Sequence, residues 1–292
     1  IHGIMAGLLA PLSAGGSVVG TPGFDAFKFH RWLDDLRPTY YTAVPTMHQM
    51  VLARSPGPRP SSLRFIRSSS AALPGPVLDG LHERFGVPVV EAYGMTEASH
   101  QMTCNPLPPG RAKAGSVGVA AGIEVAILDG TNQQLPPGQR GEVAIRGATV
   151  VDGYENNPSA NEAAFTGGWF RTGDEGMLDD EGYLYLTGRL KEQINRGGVK
   201  ISPLEIDEVL LRHPAVAEAV TFAIPHDKLG EEVGAAVVLV EGHDATEAEL
   251  RAYLRDQLAP FKVPKQIVFV TEIPKGATGK IQRIGLAERL AL

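Results

Sequence analysis

Cysteine is nearly absent from this sequence, which has only Cys104 among its 292 residues. A single thiol excludes an internal disulfide framework and any zinc site built on several cysteines. Long apolar runs are also missing, because none reaches the roughly 18 to 20 residues that cross a membrane. The apolar segment from Ile4 to Val19 is interrupted by Pro11 and by glycines. It also lacks the basic flank of a signal peptide. We therefore expect no membrane span and a cytoplasmic location.

An excess of positive charge is lacking as well. The chain has 27 Lys and Arg against 33 Asp and Glu, for a net charge of −6. Because nucleic-acid-binding domains usually carry a basic excess, the sequence predicts no nucleic-acid partner. An anionic ligand would have to be bound by local positive charges. The length predicts about two domains, and the oligomeric state stays open.

Helical and strand patterns alternate through the first 110 residues. Apolar spacing and short apolar runs predict three helices and three strands in turn, at residues 24–36, 40–44, 46–53, 63–68, 76–85 and 87–92. This alternation predicts part of a doubly wound, parallel α/β sheet. In such sheets ligands bind beyond the carboxyl ends of the strands, where residues 68–71 and 93–97 are predicted to lie.

The pattern changes twice further along the chain. Short apolar runs separated by turn residues predict a small β-subdomain over residues 111–188. Mixed helix and strand patterns then predict a separate, mobile α+β domain over residues 192–292, joined by a hinge at residues 189–191. Residues 1–188 would form part of a large N-terminal domain. The chain opens at Ile1 inside a helical pattern, so we expect it to lack its natural N-terminus.

Several side chains suited to nucleotide or metal binding lie between Glu91 and Glu97, at the end of an apolar run. Tyr93 offers a ring for stacking on a base, and Thr96 offers a hydroxyl to a phosphate. Glu97 offers a carboxylate to Mg²⁺, a hard cation that prefers oxygen ligands. The plainer interpretation is a strand-to-loop transition in which Thr96 and Glu97 only cap the chain.

A second candidate segment for ligand binding runs from Trp169 to Asp174. A carboxylate at this position can accept hydrogen bonds from both hydroxyls of a ribose, as acidic residues do in dinucleotide-binding folds. Gly173 and Asp174 also fit an ordinary hairpin turn. Downstream, Arg189 could bind a ribose or a phosphate, and Lys191 lies at the predicted hinge. An ordinary basic linker would explain the last two residues equally well.

Glycine-rich segments follow in the C-terminal third. Gly197 and Gly198 allow a ligand to approach the backbone closely, although a plain β-turn also fits them. Lys200 follows two residues later. Lys280 ends another glycine-containing loop, from which a lysine can reach a carboxylate and a phosphate together. Alternatively, Lys280 is one of several solvated lysines.

Taken together, these motifs resemble the adenylate-forming superfamily of acyl-CoA synthetases, luciferases and peptide-synthetase adenylation domains. The resemblance runs from the middle of the large domain to its end. The Ser/Thr/Gly-rich phosphate loop of this superfamily is missing, and no Walker-type loop replaces it. The resemblance implies a carboxylate–CoA ligase that uses ATP, Mg²⁺ and coenzyme A through an acyl-adenylate. We expect the chain as given to be inactive.

The resemblance also implies roles for individual residues. Lys280, Glu97 and Thr96 would be catalytic, with Glu97 also the magnesium ligand. Lys191 would be the hinge. The residues implied to contact the nucleotide or CoA are Ser70, Ala71, Tyr93, Gly94, Met95, Asp174, Arg189, Gly197, Gly198 and Lys200.

Within the superfamily, the sequence looks closest to oxalate–CoA ligases. A small dianionic acid requires a polar, cationic pocket, which His2, Arg67, Ser69 and His100 would provide. Alternatively, Arg67 is a buried structural ion-pair partner and His100 a satisfied loop histidine. Malonate and other short acids remain open as substrates. So do medium- or long-chain fatty acids, a peptide-synthetase adenylation domain and a non-catalytic nucleotide-binding fragment.

Overall fold

The computed structural model describes residues 1–54, 57–276 and 281–292. These residues form two compact units. The first unit contains residues 1–172 and 176–186, and the second contains residues 173–175 and 187–292. Within the described ranges, no helix is both long enough and apolar enough to cross a membrane. Helices and sheets are mixed throughout, which confirms the predicted α/β class.

A mixed five-stranded sheet organises the first 120 residues. Its strands, in spatial order, are β1 (Tyr40–Ala43), β2 (Phe65–Ser69), β3 (Val89–Met95), β4 (His100–Cys104) and β5 (Val119–Ala120). The first three pair in parallel, as the alternating pattern predicts. The last two are antiparallel additions that the sequence reasoning did not predict. The prediction that Tyr93 lies beyond the strand is wrong, because β3 continues to Met95.

Helices cover this sheet and fix its strands. They are a π-helical segment (Gly3–Leu9) followed by α1 (Ala10–Ser13), α2 (Ala26–Leu36), α3 (Pro45–Ala53) and α4 (Gly75–Phe85). Helix α2 begins at Asp25, whose carboxylate accepts hydrogen bonds from the backbone of the first turn. Apolar side chains of α2, α3 and α4 pack with Ile66 and Val89 in one core cluster. This core holds β2 and β3, which carry the predicted site residues.

The β-subdomain forms a second five-stranded sheet with one helix. The elements are β6 (Glu124–Leu128), β7 (Gly141–Arg146), α5 (Pro158–Ala164), β8 (Phe165–Thr166), β9 (Trp169–Leu178) and β10 (Leu184–Arg189). The order is β10-β9-β7-β6, with β8 paired to β9. The hairpin-turn interpretation of Gly173 and Asp174 is wrong, because both lie inside the ten-residue β9. Gly173 has a φ of +73°, so the strand is locally irregular there.

The second unit is built on a third sheet, which completes the predicted α+β architecture. Its elements are β11 (Ile194–Arg196), β12 (Val199–Ile201), α6 (Pro203–Leu211), β13 (Val216–His226), β14 (Gly230–Leu239), α7 (Glu247–Arg255), β15 (Gln266–Phe269) and α8 (Leu286–Arg289). The strand order is β12-β11-β14-β13, with β15 parallel to β14. Helix α7 begins with a capping box between Thr246 and Glu249. A hinge at residues 189–191 stays a prediction.

Candidate active site

Three of the residues predicted to bind the acid lie together in the first unit. Arg67 comes from β2, His100 begins β4, and His2 immediately precedes the π-helical segment. The two imidazole rings stack with centroids 5.4 Å apart and an interplanar angle of 8°. Arg67 Nη1 lies 3.0 Å from His2 Nε2. The structure therefore brings one guanidinium and two imidazoles into a single cluster, which we call the Arg67 cluster.

The contacts of His2 define its protonation state. Its Nε2 accepts a hydrogen bond from the Arg67 guanidinium, which can only donate. Its Nδ1 lies 3.0 Å from Ser70 Oγ and therefore carries the proton. Burial and the neighbouring Arg67 charge lower the pKa of His2 to about 4. His2 is thus a neutral imidazole that orients the guanidinium.

Arg67 is a buried cation held by neutral groups. Its side chain is enclosed, with the residue only 6% exposed. It also donates to Thr42 Oγ1 at 3.3 Å and to Gln101 Oε1 at 3.0 Å. Burial lowers its pKa. Among the residues described by the structure, no carboxylate forms an ion pair with Arg67, which contradicts the alternative that it belongs to a buried structural pair.

His100 is held in an unusual backbone conformation. Its φ is +97°, and Ser99 before it is left-handed with a φ of +54°. Gly94 on β3 makes this conformation possible, because a Cβ there would lie 1.8 Å from the His100 carbonyl oxygen. Non-glycine residues with positive φ are strained and cluster at functional sites. The glycine of the Tyr93–Glu97 motif thus also positions a member of the Arg67 cluster.

The serines at the end of β2 have different surroundings. Ser69 is buried and donates its hydroxyl to the carbonyl of Ala92 at 2.8 Å. Ser70 has a φ of +78° and contacts His2. Ala71, the next residue, is exposed. The structure therefore associates Ser70, and not the hydroxyl of Ser69, with the Arg67 cluster.

The predicted magnesium ligand lies just beyond β3. Thr96 and Glu97 begin a short 3₁₀ turn (Thr96–Ala98) with no side-chain cap, so the capping interpretation is wrong. Glu97 Oε1 accepts a hydrogen bond from the Tyr154 hydroxyl at 2.9 Å. Its other oxygen makes no hydrogen bond to any residue that the structure describes. Thr96 is exposed and Tyr93 half-buried.

This geometry fits a magnesium ion that is bound mainly through a nucleotide. The described residues contain no cluster of three or more metal-binding side chains. Magnesium in nucleotide sites typically takes one or two carboxylates, phosphate oxygens and water. A single oriented carboxylate with one oxygen available matches that requirement.

In the second unit, Asp174 and Arg189 lie side by side. Arg189 Nε donates to Asp174 Oδ1 at 2.9 Å. Asp174 is buried, whereas the Arg189 side chain is largely exposed. The neighbouring Glu175 accepts from Thr187 at 2.8 Å and from Gln193 at 2.9 Å. Residues 173–175 are thereby fixed to the end of β10 and to the chain that follows it.

The two adjacent glycines form the turn of the β11–β12 hairpin. Gly197 and Gly198 have φ values of +58° and +88°, which is the backbone of a tight two-residue turn. Lys200 on β12 is exposed. Lys191 is exposed in the 3₁₀ turn Leu190–Glu192. Lys280 lies outside the described residues.

Several contacts of the site were missed in the sequence. Thr42 and Gln101 orient Arg67, and Tyr154 orients Glu97. The position of Gln101 directly after His100 was the one available signal. Thr42 and Tyr154 are distant in sequence from their partners, so spacing alone could not identify them.

Family models match both parts of the chain. Residues 1–155 match the model described as AMP-binding enzyme, and residues 205–280 match that of its C-terminal domain. The first match covers more than half of the chain and includes the Arg67 cluster, Tyr93 and Glu97. The chain belongs to the AMP-binding enzyme family. This confirms the resemblance drawn from the motifs.

Similar proteins point to the same family. An oxalate–CoA ligase of Arabidopsis thaliana is 50% identical over 97% of this chain and 56% of its own length. An oxalate–CoA ligase of Saccharomyces cerevisiae is 48% identical over the whole chain and 54% of its own length. The crystal structure of ATP-bound MatB from Rhodopseudomonas palustris superposes with a TM-score of 0.91 at 33% identity, over 99% of this chain and 57% of that one. The chain thus spans about half the length of its relatives.

Proposed function

We propose that this chain is part of an ATP-dependent carboxylate–CoA ligase that activates a small dicarboxylic acid, oxalate foremost. The substrate carboxylate would attack the α-phosphate of ATP to give an acyl-adenylate and pyrophosphate. The thiol of CoA would then displace AMP to give the thioester. Membership of the AMP-binding family and the similarity to two oxalate–CoA ligases support this reaction.

The observation that carries the choice of acid is the buried charge of Arg67. An ionised group without a counter-ion is costly to bury, by several kcal/mol even after relaxation. Its hydrogen bonds to His2, Thr42 and Gln101 satisfy donors but add no negative charge. A substrate carboxylate would supply that charge through a charge-assisted hydrogen bond. A fatty acid, by contrast, would place an alkyl chain against polar groups.

In both units, a hydrogen bond orients a carboxylate that is predicted to bind the nucleotide or its magnesium ion: Glu97 in the first unit and Asp174 in the second. In the first unit, Glu97 would hold Mg²⁺, with Tyr93 and Thr96 contacting the base and a phosphate. Bound magnesium neutralises charge on the phosphate oxygens. In the second unit, Asp174 and Arg189 would contact the ribose; the Arg189 hydrogen bond holds the Asp174 carboxylate in one orientation.

The remaining assignments are proposed from the resemblance of the motifs to the family. Lys280 would stabilise charge where the acid meets the α-phosphate, and Lys191 would be the pivot between the two half-reactions. The Gly197–Gly198 turn, with Lys200, would approach the pantetheine arm of CoA. Positive φ at both glycines supports a close backbone approach, since neither carries a side chain.

Two variants test this proposal in a chain extended upstream to the length of its relatives. Arg67→Gln should raise the KM for oxalate by roughly a hundredfold, since lost charge pairs of this kind cost about 2–5 kcal/mol. The KM for ATP should stay the same. An unchanged KM for oxalate would remove Arg67 from the acid site.

Lys280→Ala should slow adenylation by orders of magnitude while sparing thioester formation from preformed acyl-AMP. Lys28→Ala, at an exposed lysine of the first unit, is the matched control for loss of a solvated charge. Equal loss of both half-reactions in Lys280→Ala, with a normal fold, would refute the assignment of Lys280.

A further inference from the structure

The Arg67 cluster has too little positive charge for a dianion. Arg67 contributes one charge, and His2 is neutral because its Nε2 accepts from the guanidinium. Besides His2 and His100, the titratable side chains around Arg67 are His48, Tyr40 and Cys104. None of the side chains among them is an acid ionised at neutral pH. Oxalate would therefore bring two negative charges to one permanent side-chain cation.

His100 is the group in this cluster that is placed to gain a proton. It is 4% exposed, yet its ring makes no hydrogen bond to any residue the structure describes. Protonating His2 instead would abolish its hydrogen bond from Arg67 and bring two cations within 3.0 Å. Stacking on neutral His2 occupies a face of the His100 ring and not its edge, where both nitrogens lie. A protonated His100 would donate from both nitrogens.

We infer that His100 takes up a proton when a dianionic acid binds, so that Arg67 and the imidazolium each neutralise one carboxylate. This inference rests on the proposed function and deepens it. A monoanionic acid, which Arg67 neutralises alone, induces no uptake. Proton uptake therefore makes His100 a specificity-determining residue that favours dianions over monoanions.

The free site starts from neutral His100. Burial, then the Arg67 charge, lower the pKa of His100 to about 4. A bound dianion raises that pKa, since a nearby opposite charge favours the ionised form. Because the complex holds more protons than the free site, affinity strengthens as pH falls. The gain levels off below about pH 4, where the free site is itself protonated.

The test is calorimetric binding of oxalate to the upstream-extended chain, with α,β-methylene-ATP present to prevent turnover. Titration in buffers of different ionisation enthalpy gives the number of protons taken up. We expect close to one proton for oxalate at about pH 6 and fewer as pH rises, with an affinity that falls by up to tenfold per pH unit where uptake is full. Oxamate, which has the same shape and one charge, should take up none.

Variants locate the proton. In His100→Asn the uptake should disappear and the affinity for oxalate should approach that for oxamate. His243→Asn, at an exposed histidine of the second unit, should behave like the parent. Uptake that persists in His100→Asn would place the proton on the ligand or on His2 and overturn the inference. Oxalate binding without uptake would overturn it and leave the proposed function intact; absence of oxalate binding would overturn both.

Discussion

Replacing Arg283 with glutamine should destabilise the second unit far more than removal of a surface charge. Arg283 Nη2 lies 2.6 Å from Asp207 Oδ2 on α6, its Nε donates to Glu192 at 3.1 Å, and its Nη1 donates to the carbonyl of Thr221 at 3.0 Å. Asp207 is 4% exposed. One guanidinium thus connects α6, β13 and the 3₁₀ turn Leu190–Glu192.

The stability lost in Arg283→Gln follows from the buried Asp207 carboxylate, which would be left without a cation. Without Arg283, the Asp207 carboxylate would keep only the backbone N–H of Thr221, at 2.6 Å, as a described partner. Removing one member of a buried ion pair typically costs about 3–5 kcal/mol. Lys262→Gln is the matched control, because its partner Glu205 also lies on α6 but this pair is partly exposed. Its loss should cost less than about 1 kcal/mol.

The penalty should also depend on pH. Burial is the largest influence on Asp207 and raises the pKa of its carboxyl, whereas Arg283 and Thr221 lower it. Arg283→Gln removes the lowering cation, so the pKa rises further. A carboxyl with a raised pKa in the folded state loses stability as pH rises above its ordinary value of about 4. The penalty should therefore be full at neutral pH and shrink on acidification.

Hydrogen exchange is the suitable assay, because both tryptophans, Trp32 and Trp169, belong to the first unit and do not report on the second. Peptides from β13 and β14 should exchange roughly a hundredfold or more faster in Arg283→Gln, since each 1.4 kcal/mol changes the opening equilibrium about tenfold. The double variant Arg283→Gln with Asp207→Asn should recover part of the loss. A change no larger than that of Lys262→Gln, or no recovery, would show that Arg283 does not neutralise a buried Asp207 carboxylate.

Three further predictions concern the site. Tyr154→Phe should raise the magnesium concentration needed for adenylation by about tenfold, because hydrogen bonds to charged groups contribute about 1.5–3 kcal/mol. An unchanged magnesium titration would exclude Tyr154 as the group that orients Glu97. Gly94→Ala should raise the KM for oxalate more than the KM for ATP, because the alanine Cβ would displace the His100 carbonyl. Equal changes in the two KM values, measured by steady-state kinetics, would contradict this. Lys191→Pro should spare adenylation and block thioester formation, because proline fixes φ; loss of both half-reactions in a folded protein would argue against a hinge.

Much of the fold was predictable because local patterns and packing agree. Helices α2, α3 and α4 begin within two residues of the predicted ranges 24–36, 46–53 and 76–85, and end where these ranges end. The antiparallel strand β4 was missed because its sequence, from His100 to Cys104, is polar and lacks a strong apolar alternation. The hairpin-turn interpretation of Gly173 and Asp174 relied on the local preference of glycine and aspartate for turns. Pairing within the sheet overrides that preference here.

Less of the site could be predicted. The sequence placed Arg67 and His100 among the acid-binding candidates. It did not predict that the backbone of His100 depends on Gly94, or that His2 is neutral. Those features depend on contacts between residues far apart in sequence, such as His2 with Ser70 and with Thr42. The partners of Glu97 and Arg67 were missed for the same reason.

Activation of oxalate can be measured as CoA-dependent AMP release in the upstream-extended chain, with oxalate, malonate, acetate and octanoate side by side. We expect a clear preference for oxalate, with acetate and octanoate poor substrates. Preference for octanoate would contradict the polar acid site while leaving a CoA ligase. No turnover with any of the four acids would contradict the proposed function itself.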